Sequence, residues 1–221
     1  AAKPLPCSEH PHLAVVNYFR PWLVGQKVVI IGRYPHMDKV LKGIDYQVLE
    51  RAPQQDDLPD SAAEFLLPTS DWVFLTSTSI INKTFPRLSE LSKNAVSVLM
   101  GPSTPWLGQF SQCDIDFLAG VVPVNGEKAE QIAAEGGGIA LFGEGVGYAL
   151  ANISQERLAY LKAHISRHFD ERAKLKAAME TWYSQGNSSR FPDFNRLAHI
   201  DDELAVLDLA YKRLWLANQN R

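Results

Sequence analysis

The stretch Lys27-Val28-Val29-Ile30-Ile31-Gly32 decides the fold class. Four consecutive β-branched apolar residues leave no polar face, so the strand they predict is buried on both sides, as in a parallel sheet. The closing glycine marks a turn out of the sheet. Working outward, Gln47-Val48-Leu49, Trp72-Val73-Phe74-Leu75, Val96-Ser97-Val98-Leu99-Met100, Phe117-Leu118-Ala119-Gly120 and Ile139-Ala140-Leu141-Phe142 are strand-like as well. Segments of helical character lie between them: Met37 to Lys42, Ser61 to Leu67, Phe85 to Ser92 and Gly126 to Glu135. Strands alternating with helices at this spacing predict βαβ units with right-handed crossovers. The expected fold is α/β and Rossmann-like: a mostly parallel sheet with helices on both faces, spanning residues 25–151.

The flanks read differently. In residues 1–24, Pro4, Pro6 and Pro11 predict an extended lead-in, and Leu13, Val16 and Phe19 predict a short helix ended by Pro21. After Gly143-Glu144-Gly145-Val146-Gly147 the character changes. Leu161, Ile165, His168, Arg172, Leu175, Met179 and Trp182 fall on one stripe of a long helix. Beyond Gly186-Asn187-Ser188-Ser189, the residues Ile200, Leu204, Leu207, Tyr211, Leu214 and Asn218 repeat the spacing. Residues 152–221 are therefore expected to form a C-terminal helical hairpin. With Trp182, Tyr211 and Trp215 it is expected to serve a homo-oligomer or a partner protein.

Charge narrows the partners. Twenty-two basic residues are dispersed among 25 acidic ones, for a net charge of -3, which leaves no basic footprint for nucleic acid. No apolar run reaches the roughly 18 residues of a membrane helix. Cys7 and Cys113 stand far apart without a CxxC partner, which predicts neither a disulfide framework nor a zinc ribbon. With no signal segment apparent, the expected location is a reducing cytoplasm.

In a doubly wound sheet, ligands bind beyond the carboxyl ends of the strands, where the strand order reverses. The first such loop, Gly32-Arg33-Tyr34-Pro35-His36, lacks the GxGxxG that brings a backbone up to a pyrophosphate. Glu50 ends the second strand near where a ribose-binding acid would stand, and a solvated strand-end acid is the plainer role. After the third strand, Thr76-Ser77-Thr78-Ser79 and Asn82 offer hydroxyls and an amide, with a helix start behind them. A helix cap alone would also account for one hydroxyl. Gly101-Pro102-Ser103-Thr104-Pro105 combines stiffening residues with two hydroxyls. Gly32, Glu50, Thr76, Thr78, Asn82, Ser103 and Thr104 are thus expected to converge on one crevice for a polar or anionic ligand. His164 and His168, four apart on the tail helix, have the spacing to share a metal, although a buried, hydrogen-bonded His168 is the simpler expectation. There is no nucleophile elbow, Walker loop or HExxH.

The run Val28 to Gly32 with Pro35, Val48-Leu49-Glu50-Arg51, Asp57-Leu58-Pro59-Asp60-Ser61-Ala62, Thr76 to Asn82 with Thr84, Leu99 to Pro105, Leu118-Ala119-Gly120 and Glu135-Gly136-Gly137-Gly138 together resemble the Rossmann-like domain of the "putative heavy-metal chelation" family. The resemblance covers about residues 25–142, and Gly-Pro-Ser-Thr-Pro is its most specific part. It implies a Rossmann-like sheet and a bound transition metal or metal-associated small molecule. Members commonly carry a separate α/β domain ahead of this one, where this chain has residues 1–24, and the helical tail has no counterpart in the resemblance.

The leading expectation is a protein that binds or handles a transition metal, or an anionic metal complex, in that crevice. Two alternatives stand beside it: an enzyme acting on a nucleotide or other phosphorylated small molecule in the same crevice, and an assembly subunit that works through its tail.

Overall fold

The computed structural model describes residues 2–6, 9–54, 56–136 and 140–219. The chain forms two compact units, Ala1–Ser154 and Gln155–Arg221.

In the first unit the strands are β1 (Lys3–Pro4), β2 (Val28–Ile31), β3 (Tyr46–Glu50), β4 (Leu58–Pro59), β5 (Trp72–Thr76), β6 (Val96–Met100), β7 (Phe117–Pro123) and β8 (Val146–Asn152). Its helices are α1 (Ala14–Leu23), α2 (Met37–Val40), α3 (Ala63–Leu66), α4 (Thr78–Ile81), α5 (Phe85–Leu91), α6 (Gly126–Ala134) and α7 (Leu141–Glu144). One sheet runs in the order β1-β8-β7-β6-β5-β2-β3-β4. The six strands from β7 to β4 are parallel, and β8 and β1 extend the sheet antiparallel. The chain winds outward from β2 through β3 to β4, then returns to place β5 on β2's other flank. The strand order therefore reverses between β2 and β5, and this is the Rossmann arrangement with its switch point there.

Pleating divides the central strands between two cores. Val29, Ile31, Val73 and Leu75 join Ala63, Leu67, Phe85 and Leu88 in one apolar cluster, so α3 and α5 cover that face. The alternate residues Trp72, Phe74 and Phe117 surround Phe19 of α1, with ring centroids 5.0, 6.4 and 4.8 Å from it. All four residues of β2 are buried, as an unbroken apolar run in a parallel sheet requires.

Several expected elements are corrected. The strand placed at Ile139–Phe142 is not one: Leu141–Glu144 is helical, and Ile139 lies outside the described residues. The sheet is extended instead by Val146–Asn152, whose seven residues pair antiparallel with β7. The sequence reading placed no strand there, although it carried the domain to residue 151. Helix α1 continues past Pro21 to Leu23, which is fully buried. Only the final turn forgoes a donor there, and the proline's fixed φ is compatible with a helix. The lead-in contributes β1, whose Pro4 is tolerated because the strand is at the sheet edge.

The second unit is a helical hairpin, α8 (Gln155–Ser184) and α9 (Phe194–Gln219). The residues from Leu161 to Trp182 on the expected stripe are buried or half-buried, and Leu197, Ile200, Leu204 and Leu214 are buried on α9. Arg172–Asp201 and Arg196–Glu171 ion pairs link the two helices, the latter at 2.8 Å. No described helix is long and apolar enough to cross a membrane.

Candidate functional site

A cleft of about 530 Å³ opens at the carboxyl ends of β2, β3 and β5, directly at the switch point. Gly32, Glu50, Thr76, Thr78 and Asn82, five of the seven expected ligand residues, line it. So do Tyr34, Ser79, Lys83 and Arg87, which had not been singled out.

Gly32 is required where the chain leaves β2. Its amide still bonds Leu49 O at 2.9 Å, but its φ is +95°, and a Cβ there would stand 3.3 Å from Thr76 Cγ2. Thr76 Oγ1 and Thr78 Oγ1 lie 2.9 Å apart, so one hydroxyl donates to the other and a second hydrogen remains for a ligand. Glu50 has a different role from the one its position suggests. Its Oε2 accepts from the Arg33 amide and its Oε1 from the Arg51 amide, each at 2.9 Å, so the carboxylate orders the two loops that wall the cleft.

Arg33, which also lines the cleft, closes on Asp57, with Nε 2.7 Å from Oδ2. The Asp57 side chain is fully buried, and the Arg33 hydrogen bonds hold its carboxyl below the usual range. Arg87 bridges Glu64, at 2.8 Å, and Glu90, at 2.7 Å, and Arg51 stands 3.9 Å from Asp60. Lys83 differs: among the described residues no carboxylate lies within ion-pair distance of its ammonium. The Tyr34 hydroxyl is buried beside the Thr76 hydroxyl, and burial pushes the phenol up, so it is a neutral O–H donor at pH 7. The Ser79 hydroxyl is buried and unpartnered.

Ser103 and Thr104 share the same sheet edge, after β6, but do not line the cleft. Ser103 Oγ is 2.9 Å from Ser77 Oγ, and the Thr104 amide closes a turn onto Gly101 O at 3.1 Å. Thr104 packs over Gly120, and its buried hydroxyl has no partner. The helix starts behind the Thr-Ser run also contribute less than expected, because α4 has four residues and α5 seven, too short for a developed macrodipole.

His164 Nε2 faces the Arg167 guanidinium at 2.6 Å, and its ring lies tilted by 43° against Tyr160, with centroids 4.0 Å apart. Partial burial, then the charges of Arg167 and His168, push its imidazole below the ordinary value. His168 points to Glu203, with Nε2 3.8 Å from Oε2. The sequence reading missed a second group of histidines, His10, His12 and His36. His10 stacks on His36 at 4.4 Å, and His12 Nε2 meets Pro35 O at 3.0 Å, so their nitrogens do not converge. Among the described residues, no three His, Cys, Asp or Glu side chains gather as metal ligands. The cleft's own donors are hydroxyls, an amide and an ammonium. That set suits an oxyanion or a metal already held in an oxygen-rich chelate, and it does not fit a bare thiophilic ion.

A family model described as "putative heavy-metal chelation" (DUF364) matches residues 14–152, more than half of the chain. A crystal structure of a DUF364 protein of unknown function from Desulfitobacterium hafniense DCB-2 is 32% identical, with a TM-score of 0.55, and the match covers 61% of this chain and 55% of that one. A DUF364 protein of unknown function from Pyrococcus horikoshii is 23% identical, with a TM-score of 0.48 and coverage of 57% and 54%. The chain thus spans a little over half the length of both. No curated protein matches. With the family model lying across seven of the eight strands, from α1 to the end of β8, the chain belongs to the DUF364 family.

Proposed function

We propose that the switch-point cleft binds an anionic, metal-associated small molecule, and that the protein handles a transition metal as such a complex. The observation that carries this reading is the cleft's lining: the hydroxyls of Thr76, Thr78 and Ser79, the Asn82 amide, a lysine with no ion pair among the described residues, and no Cys or His. Seven predicted residues are part of the proposal, with Thr76, Thr78 and Asn82 as ligand contacts and Gly32 and Glu50 shaping the walls. Ser103 and Thr104 support the edge from the neighbouring loop. Hydrogen exchange with nickel citrate tests it. Protection of residues 32–34 and 76–84 is expected, and protection confined to other segments, or none, overturns the reading.

The hairpin carries a second reading. Val206, Leu209 and Leu216 of α9 are 45%, 52% and 50% exposed at helical spacing, an apolar stripe that suits association with another chain. Sedimentation at tens of micromolar is expected to show a species heavier than the monomer. A strict monomer that Val206→Glu/Leu209→Glu leaves unchanged would remove this role.

A further inference from the structure

We infer that the cleft recognises a compact oxyanion head, a carboxylate or a phosphate, and that Lys83, Tyr34 and Ser79 are the residues that hold it. The inference rests on the reading of the cleft as the ligand site, and adds the chemical class of the bound group and the side chains that select it.

Three observations lead there. The cleft's other cations already have partners: Arg33 is closed on Asp57, Arg87 on Glu64 and Glu90, and Arg51 stands beside Asp60. Lys83 alone among these four has no carboxylate nearby in the described residues, so its charge faces the cleft uncompensated. Second, Ser79 Oγ on the same cleft is only 2% exposed and lacks a hydrogen-bond partner, and the Tyr34 hydroxyl is buried beside the Thr76 hydroxyl of the same lining. Buried polar groups in folded proteins are nearly always satisfied, so the unpartnered Ser79 hydroxyl beside a cation without an ion pair marks a place where an acceptor belongs. An acceptor that also neutralises an ammonium is an anion. Third, Lys83 adopts φ +62°, a left-handed conformation that side chains bearing a Cβ disfavour. It ends the turn between α4 and α5, its amide bonding Ile80 O at 3.1 Å. Glycine would sit there without strain, and strained non-glycine residues cluster at ligand clamps.

The head group has to be small. Ser79 and Thr78 are adjacent on α4, and Lys83 follows within two residues of its end, so these donors span a few ångströms rather than the length of a dinucleotide. Tyr34 closes the set from the β2 side. Its high proton affinity keeps the phenol a donor across the physiological range.

Titration calorimetry at low ionic strength with sodium phosphate, with citrate and with Ni²⁺ alone tests the inference. Phosphate, citrate or both are expected to bind, and whichever binds names the head group. Lys83→Gln should weaken that binding at least tenfold, the size of a lost charged hydrogen bond, and Tyr34→Phe and Ser79→Ala by about threefold to tenfold each. Raising the salt should weaken the wild type far more than Lys83→Gln. Lys83→Gly separates charge from folding: it should lose the same affinity while the Tm holds or rises by about 2–4 °C. If nickel citrate protects the cleft in hydrogen exchange yet Lys83→Gln binds unchanged, the recognition inference is overturned and the cleft reading stands. If neither anion binds while Ni²⁺ alone does, the inference fails and a bare-ion site replaces it. Protection of no cleft segment by any probe removes both.

Discussion

Two loops leave the same edge of the sheet with nearly the same vocabulary, Thr76-Ser77-Thr78-Ser79 after β5 and Gly101-Pro102-Ser103-Thr104 after β6, and the structure uses them oppositely. The β5 loop presents hydroxyls to a cleft, two of them paired with each other and one buried without a partner. The β6 loop is turned inward: Ser103 bonds Ser77, Thr104 packs over Gly120, and Trp106 Nε1 donates to Val121 O at 3.2 Å. Hydroxyl content therefore does not identify a binding loop. What matters is whether those hydroxyls line open space, as Thr76, Thr78 and Ser79 do, or are packed against the chain itself, as Thr104 is over Gly120.

The largest effect should come from the residue that couples the two loops. A Cβ on Gly101 would lie 2.6 Å from Ser77 Oγ, at φ +137°, so Gly101→Ala is expected to cost about 2–4 kcal/mol in urea denaturation through strain and overpacking. Gly32→Ala, with a 3.3 Å contact to Thr76 Cγ2 at φ +95°, should cost about 1–3 kcal/mol. Equal losses at the two glycines would break the contrast between a packed loop and an open one.

Next in size is the Arg33–Asp57 pair beside the cleft. Removing one member of a fully buried pair costs several kcal/mol, but Arg33 is about a third exposed, so Asp57→Asn is expected to cost about 1–3 kcal/mol. The pH dependence follows from Asp57's lowered affinity for a proton. The folded state binds this proton less readily than the unfolded chain, so the stabilisation is complete above about pH 4, the unfolded value. It is lost as pH falls below that, through the folded pKa. Asp57→Asn should flatten the acid limb of a stability-versus-pH curve; an unchanged limb would show that the pair contributes little.

The smallest effects sharpen the comparison most. Ser103→Ala/Thr104→Val should leave nickel citrate affinity within about twofold, because neither side chain lines the cleft. Its stability should change by about 1 kcal/mol or less: one hydrogen bond is lost, while an unsatisfied buried hydroxyl is removed. Thr76→Val/Thr78→Val should instead lower affinity several-fold with the fold intact. The reverse pattern would return the binding role to the β6 loop.

Much of the sheet was legible because β2 and Trp72–Leu75 of β5 are continuous apolar runs and β6 is one broken only by Ser97, as a sheet covered on both faces requires. The elements that escaped reading lack that signature. β1 and β4 are two-residue pairings containing proline, and β8 follows a glycine-rich turn and is only partly buried. Their existence depends on a neighbouring strand rather than on their own composition. The hairpin stripes were legible for the same reason as the central strands, since a 3.6-residue period survives wherever a helix buries one side.

Sequence alone thus determined the alternation of strands and helices, the parallel core, and the sheet edge that carries the loops, because burial pattern and right-handed crossover are local constraints. Only the tertiary structure decided which polar groups on that edge are available. Glu50 is committed to two backbone amides, Ser103 to Ser77 and Arg33 to Asp57, whereas among the described residues Lys83 has no ion pair and Ser79 Oγ no hydrogen-bond partner. A side chain's type states what it can bond. Whether it is already bonded depends on residues 17 to 26 positions away in the chain, which meet it only when the sheet has formed.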